Sequence, residues 1–474
     1  MSVGRFVFKG RRWVQLSALF LFASALFSAS LWGKALLRSI LRLDPLWLFG
    51  RFVGFGGLAL LASGFAVGRA FCGWICPLGT LLELCPSKKG PSTPRSWDSS
   101  GVLALSFAAT AVVLGFSLPL AFSPLSLWVR SIVLLLFPPL SFVGERLLQL
   151  TSPLWERLGL EELAYASLRT FHFQGIELAL GIFAGVFALN LIAPRFWCRH
   201  ICPLGALLGF VSRWSLLRRR MGDLCASCGL CVRHCPMGAI PPKDPARTRR
   251  DRCILCGICI SFCPQNIVRF GLLKGEALPG FLPSRRAVLI SLGLGAFTGI
   301  LSRRVVSRVL RPSHLIRPPN ALPEEEFLDR CVRCGVCIRV CPTDGLQPML
   351  LEGGMEALWT PRLIPRIGPC EPECALCGDI CPTGAIRPFS AEEKPSLKLG
   401  VAVVQKDRCL AWGWGRACLV CDEACPYDAV ELEPVPGKDV RGPVVYREWC
   451  VGCGLCEHRC PVPGEAAIRV ERRT

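Results

Sequence analysis

The chain has 474 residues, 51% of them hydrophobic and 19% charged, with a mean hydropathy of +0.43, 29 cysteines and a formal net charge of +20. This composition excludes a disordered chain and an ordinary soluble enzyme, and points instead to membrane segments and thiol chemistry. No nucleic-acid partner is expected, because much of the basic excess flanks apolar runs, as at Lys9, Arg11 and Arg12 or at Arg218, Arg219 and Arg220, where membrane orientation accounts for it.

Four apolar stretches, each about 20 residues long, read as membrane-crossing helices: Trp13 to Trp32, Phe52 to Ala70, Val102 to Phe122 and Ile176 to Ala193. A fifth, Leu125 to Val143, contains Arg130 and the Pro138-Pro139 pair and reads as a re-entrant or interfacial element on the outer side. Parity is the reason. With a basic N-terminus inside, four spans leave Cys72 and Cys198 on the same inner side, and a fifth would separate them. Lys88, Lys89 and Arg95 after the second span, and Arg213 to Arg220 after the fourth, agree with this orientation. The loop with Lys34, Arg38 and Arg42 dissents.

Just past the inner ends of two spans stand Cys72-Gly73-Trp74-Ile75-Cys76-Pro77 and Cys198-Arg199-His200-Ile201-Cys202-Pro203, each followed by Leu-Gly. These C-x3-C-P thiols can converge on one site, a seventh cluster or another metal centre, or serve as two structural or regulatory dithiols. Spacing weighs the two equally. Cys85 is left over.

Next come two runs of C-x2-C-x2-C-x3-C-P: Cys225, Cys228, Cys231 and Cys235, then Cys253, Cys256, Cys259 and Cys263. In this bacterial ferredoxin pattern three cysteines of a run hold one [4Fe-4S] cubane and the fourth reaches the other cluster. One cluster would take Cys225, Cys228, Cys231 and Cys263, and the other Cys253, Cys256, Cys259 and Cys235. Gly229 and Gly257 let each loop wrap its cluster closely, and the proline ends each turn. Zinc favours two separated C-x2-C knuckles rather than three cysteines at successive short gaps.

Ser284-Arg285-Arg286-Ala287-Val288-Leu289 follows the order of a twin-arginine export signal, opening an apolar stretch from Ala287 to Leu301. That stretch suits a signal core or an uncleaved anchor; a cytoplasmic amphipathic or buried helix is the alternative. Arg311 to Glu326, rich in Pro and Glu, reads as a linker.

Four more cysteine sets follow: Cys331, Cys334, Cys337 and Cys341; Cys370, Cys374, Cys377 and Cys381; Cys409, Cys418, Cys421 and Cys425; and Cys450, Cys453, Cys456 and Cys460. Each ends in Cys-Pro, which disulfides would not require. The spacing between sets allows sequential pairing, or nesting of first with fourth and second with third. There is no C-x-x-C-H, no G-x-G-x-x-G and no Walker A loop, so the donor is expected to be a membrane quinol, with His172, Glu177 and His200 as candidate proton-handling residues, although Glu177, at the outer interface, reads first as a solvated interfacial carboxylate.

On these motifs the first 270 or so residues resemble the NapH family of membrane quinol dehydrogenase subunits. From Ser284 onward, with the twin-arginine leader and the Cys409-Leu410-Ala411-Trp412 segment before Cys418, the chain resembles the NapG/MauM family of exported ferredoxins. The sequence departs from both in fusing them. The resemblance implies electron transfer from the quinone pool to a periplasmic reductase, cytochrome or dehydrogenase, at the bacterial inner membrane. The alternative is an accessory, maturation or redox-regulatory iron-sulfur protein for a periplasmic metalloenzyme.

The expected fold is an α-helical membrane domain of about four spans plus one anchor helix, followed by α+β ferredoxin-like iron-sulfur modules. The boundaries are 1–215 for the membrane domain, 216–275 for a two-cluster module on the cytoplasmic side, 284–310 for the anchor and 320–474 for a four-cluster module outside. Six [4Fe-4S] clusters amount to about 24 irons, and a seventh on Cys72, Cys76, Cys198 and Cys202 makes about 28.

Overall fold

The computed structural model describes residues 3–27, 55–85, 95–222, 225, 227–272, 277–278, 284–309 and 315–472. The expected loop with Lys34, Arg38 and Arg42, the basic pair Lys88 and Lys89, and the outer ends of the stretches Trp13 to Trp32 and Phe52 to Ala70 lie outside these residues. The chain divides into two compact units, one of residues 1–129 and 180–304, the other of 130–179 and 305–474.

In the first unit the apolar stretches form helices Val3–Phe27, Phe55–Val67, Ser100–Val113 and most of Ile176–Ile192, whose first four residues belong to the second unit. Several are shorter than expected. Phe55–Val67 stops where Gly68 turns to φ +59°, and the stretch Val102 to Phe122 breaks after Val113 because Gly115 adopts φ +102° and Pro119 cannot continue a helix. At 1.5 Å per residue a 13-residue helix covers about 20 Å, short of a roughly 30 Å hydrocarbon core. Among the described residues, the one helix both long and apolar enough to cross a membrane is the continuous run Pro124–Arg157; Gly56–Val67, Trp97–Val113 and Ile176–Ile192 are shorter apolar helices.

That long run corrects the re-entrant reading of Leu125 to Val143. The chain does not double back at Pro138-Pro139; a π turn at Ile132–Leu136 leads into helix Phe137–Arg157, whose first turn accommodates both prolines. Its exposed Leu136, Leu140, Val143, Leu147, Leu150 and Leu154 recur every three or four residues and form one apolar stripe.

The twin-arginine segment forms helix Arg285–Val309, with both arginines exposed at its start and Ser284 Oγ accepting the Ala287 N–H at 3.2 Å as an N-cap. It packs on Ser100–Val113 through a seam of small residues. Ser291 Oγ donates to the Leu103 carbonyl at 2.6 Å, a Cβ on Gly295 would lie 2.7 Å from the Phe107 carbonyl, and one on Gly299 2.6 Å from Leu114 Cβ. Such small-x3-small spacing lets apolar helices approach closely. Gly295→Leu is expected to open this seam at a cost of about 1–3 kcal/mol, read as a lower unfolding midpoint of the detergent-solubilised chain. An unchanged midpoint would mean that the seam contributes nothing.

The cysteine-dense regions are α+β, as expected. In the inner module, strands Leu217–Arg220 and Arg269–Leu272 pair antiparallel and bracket both cysteine runs. In the second unit, Val401–Val404 with Ile468–Glu471 does the same for the last two sets. Short helices, such as Leu230–Arg233 and Ile258–Ser261, lead into each fourth cysteine. The linker reading of Arg311 to Glu326 is corrected from Leu315 onward. Leu315 and Ile316 are buried, Ile316 bridges to Leu363, and the Arg317 guanidinium pairs with Glu324, so this segment is part of the module; 311–314 lie outside the described residues. Residues Arg130, Val133 and Phe137 of the long helix lie against the same module, with Arg130 3.7 Å above the Trp359 ring and Arg339 3.9 Å from that of Phe137.

Candidate functional site

All 29 cysteines are described, and all are free thiols. In the regular sets the residue before the second cysteine and the glycine after it both take left-handed backbone, as at Leu255 and Gly257 or Arg333 and Gly335. This folds three consecutive thiols inward around one volume. The irregular sets have Ala375 and Leu419 after the second cysteine, and both keep negative φ.

Five fourth cysteines, Cys235, Cys341, Cys381, Cys425 and Cys460, sit with the other motif's thiols. Cys253, Cys256 and Cys259 interact electrostatically with Cys235, while Cys231 faces Cys225 and Cys228. Cys263 follows helix Ile258–Ser261 as Cys235 follows Leu230–Arg233. In the second unit Cys331, Cys334 and Cys337 gather with Cys381, and Cys370, Cys374 and Cys377 with Cys341. Cys409, Cys418 and Cys421 gather with Cys460, and Cys450, Cys453 and Cys456 with Cys425. Between the alternatives the sequence left open, the distal thiols are grouped first with second and third with fourth.

The two distal halves meet through Arg366, which donates to the Cys460 and Val462 carbonyls at 2.8 and 2.7 Å, and between the cysteine loops themselves. The Cys370 N–H donates to the Cys453 carbonyl at 2.8 Å, and the Tyr427 ring faces Cys453, Cys370 and Cys425. Burial and these thiols push the Tyr427 hydroxyl up to about 12. The four groups therefore form a row: the Cys331 group, the Cys370 group, the Cys450 group and the Cys409 group.

The donor chemistry suits iron-sulfur clusters. Burial pushes Cys253 and Cys334 up to about 12, so without a cationic centre these thiols stay protonated. Backbone N–H groups aim at the fourth cysteines: Ala239 N donates to Cys235 Sγ and Ala429 N to Cys425 Sγ, each at 3.3 Å, and Ile386 N to Cys381 Sγ at 3.4 Å. Among the described residues no three His, Cys, Asp or Glu side chains close on a single metal ion; cubane ligands, each on a different iron, need no such closure.

The C-x3-C-P thiols also converge. Cys76 interacts with Cys72 and Cys198, and Cys202 with Cys198, Cys72 and Cys76, all four being buried. The inner module docks beside them: Trp74 Nε1 donates to the Leu255 carbonyl at 3.1 Å and Arg69 Nη1 to that of Asp251 at 2.8 Å. Glu83, reached by Arg11, Gln15 and Arg195, anchors the site. Burial alone would raise the Glu83 carboxyl, but Arg195 and Arg11 hold it down to about 2. Cys85 caps the end of helix Pro77–Leu84 and is not among these partners.

Of the proton-handling candidates, His200 is buried, hydrogen-bonded to the Trp97 carbonyl at 3.0 Å, and depressed to about 4 by burial and Arg199, which makes it a neutral internal residue. His172 is exposed and faces Asp344; Glu177 is exposed in the first turn of Ile176–Ile192. Sequence reasoning missed the buried cations: Arg69 and Arg195 at the C-x3-C-P thiols, Arg219 with Nη2 3.7 Å from Cys231 Sγ, Arg333 beside Cys331, and Lys394 bonded to the Cys374 carbonyl at 2.9 Å. For the first two there was a signal, since each stands three residues before its C-x3-C-P motif.

Comparisons agree with this geometry. A 4Fe-4S dicluster domain pattern matches residues 224–268, and a 4Fe-4S binding domain pattern matches 47–86 and again 178–222, the two C-x3-C-P segments. Two further 4Fe-4S binding domain patterns match 327–347 and 447–463. The methylamine utilization ferredoxin-type protein MauM of Methylorubrum extorquens is 38% identical over 208 residues, 40% of this chain and 89% of the relative. MauM of Paracoccus denitrificans is 42% identical over 192 residues, 37% and 79% of the two chains. The ferredoxin-type protein NapG of Escherichia coli is 38% identical over 163 residues, 33% and 69%.

Proposed function

The chain belongs to the family of ferredoxin-type proteins that includes MauM and NapG, and from that premise we propose that it is a membrane-attached carrier of electrons from quinol to a periplasmic reductase, cytochrome or dehydrogenase. The first 270 or so residues act as a NapH-type, quinol-side half fused to the exported ferredoxin. Each exchanged cysteine group holds one [4Fe-4S] cluster, six in all, and Cys72, Cys76, Cys198 and Cys202 hold a seventh. Bound there, a cluster supplies reversible one-electron chemistry at thiolate-held iron. The chain's part is to fix the thiols, keep water from them and place buried cations beside them.

The observation that carries this reading is the row of four distal groups joined at Cys370 and Cys453. Its first group stands against Arg130, Val133 and Phe137 of the long apolar helix, where a lipid-soluble donor would arrive. A donor oxidised at that end reaches the outer row without electrons crossing the bilayer.

Membrane attachment is supported by apolar side chains with no protein cover. Leu140, Leu147 and Leu150 on the long helix, and Leu289, Ile290 and Phe297 on the twin-arginine helix, are each 46% to 77% exposed, more than a water-facing surface ordinarily offers. The topology rests on the twin-arginine leader together with unit membership. The leader carries the chain that follows it outward; residues 130–179 fold with that distal module, and the C-x3-C-P segments fold with the inner one. The inner module is then cytoplasmic and the distal module periplasmic.

Two measurements test this. A short-chain quinol added anaerobically to the purified full chain is expected to bleach the cluster absorbance; bleaching by dithionite but not by quinol would defeat the quinol assignment. A phosphatase fused after Thr474 is expected to be active, and an inactive fusion would defeat the topology.

A further inference from the structure

We propose that Arg69 and Arg195 are exchanged braces that complete one quasi-twofold cluster site on the C-x3-C-P thiols, each arginine belonging to one motif and clamping the other. This rests on the reading of Cys72, Cys76, Cys198 and Cys202 as a cluster site. The repeat is longer than C-x3-C-P: Arg69 precedes Cys72, and Arg195 precedes Cys198, by the same three residues, and each motif closes on Pro-Leu-Gly. Both copies fold alike, as a one-turn helix (Ala70–Trp74, Phe196–His200) followed by a second helix opened by the proline (Pro77–Leu84, Pro203–Val211).

The guanidinium groups cross over. Arg195 Nη1 donates to the Cys72 carbonyl at 2.9 Å, and Arg69 Nη2 to the Cys198 carbonyl at 3.1 Å. The glycines of the two Leu-Gly pairs make room for this exchange. A Cβ at Gly79 would lie 2.8 Å from the Cys72 carbonyl oxygen, and one at Gly205 2.8 Å from Arg69 Nη2. The arginines are 3% and 1% exposed, and Arg195 is held at φ +52°, an uncommon conformation for a side-chain-bearing residue, by its N–H bond to Asn190 Oδ1 at 2.7 Å.

Charge gives the exchange its purpose. Both guanidiniums face Cys198, and Arg195 also faces Cys76. A [4Fe-4S]2+ cluster on four thiolates carries about −2. Arg69, Arg195 and Arg11 less the Glu83 carboxylate give +2, so the buried site is neutral when loaded. Burial would lower the Arg195 guanidinium, but Glu83 and the thiols of Cys198 and Cys256 outweigh it, which also places this cation between the site and the second inner group.

The test is iron and acid-labile sulfide per chain, with the reduced-state electron paramagnetic resonance (EPR) spectrum, on anaerobically purified full-length protein. The wild type is expected to hold about 28 irons, Arg69→Gln and Arg195→Gln about 24 each, and the corresponding lysine variants, which keep the charge but lose the fork, an intermediate number. A brace that only stabilised the fold would lower every cluster's occupancy together, so the selective loss of four irons is the signature. A wild type with about 24 irons defeats the seventh-site reading itself. A wild type and glutamine variants all with about 28, and one EPR spectrum, overturn the arginine assignment alone. If the glutamine variants do not accumulate, the lysine variants decide: full iron with an unchanged spectrum overturns the proposal, and a reduced count upholds it.

Discussion

Cys381→Ala is expected to remove the cluster on Cys331, Cys334 and Cys337 and to spare the one on Cys370, Cys374 and Cys377, although Cys381 ends the latter motif in sequence. Cys381 interacts with Cys331, Cys334 and Cys337, whereas the thiol facing Cys370 and Cys377 is Cys341. Each substitution should cost about four irons, so iron alone does not distinguish them. Magnetic coupling does. The Cys370 group touches the Cys450 group through the Cys370–Cys453 backbone bond, so the spin interaction between these two reduced centres should survive Cys381→Ala and vanish in Cys341→Ala. The reverse result would mean that the fourth cysteines are not exchanged. The measurement needs only a chemical reductant and is independent of the quinol assignment.

Glu83→Gln is expected to be among the most destabilising single changes in the first unit. The carboxylate pairs with both Arg11 and Arg195, whose side chains are 0% and 1% exposed. Removing one partner of a buried ion network leaves the others uncompensated, at a cost of about 3–5 kcal/mol, against a typical total stability of about 5–15 kcal/mol. The expected reading is a large fall in the unfolding midpoint or in yield, partly recovered when Arg11→Met is added. An unfolding free energy within about 0.5 kcal/mol of wild type would refute the network's role. The pH dependence has a definite sign. Glu83 is held at about 2 against an ordinary 4.5, so its stabilisation is full above 4.5 and is lost as pH falls from there towards 2.

The +20 charge takes on a second meaning from these residues. By sequence the excess reads as orientation signals flanking apolar runs, but Arg69, Arg195, Arg219, Arg333 and Lys394 are interior cations set against thiols. A sequence count cannot separate the two populations, because burial is not a local property. Arg219 shows the limit: it lies in a basic run that reads as membrane-flanking, yet it is 4% exposed and reaches Cys231.

The sequence alone determined the cysteine loops, because three thiols at successive two-residue gaps with a left-handed glycine are a local geometry that a few bond rotations fix. It also determined the α+β character of the modules, the twin-arginine helix and the two C-x3-C-P elements, all short-range patterns. It misjudged helix lengths, since hydropathy averages over Gly115 and Pro119, where the backbone turns. Tertiary structure decided what depends on segments far apart in the chain: which fourth cysteine joins which loop, the joint under Tyr427, and the exchange of Arg69 and Arg195. These contacts span from 18 residues, Cys235 to Cys253, to 129, Arg69 to Cys198. Nothing in the spacing of either segment encodes its partner; burial of both against a shared charge does.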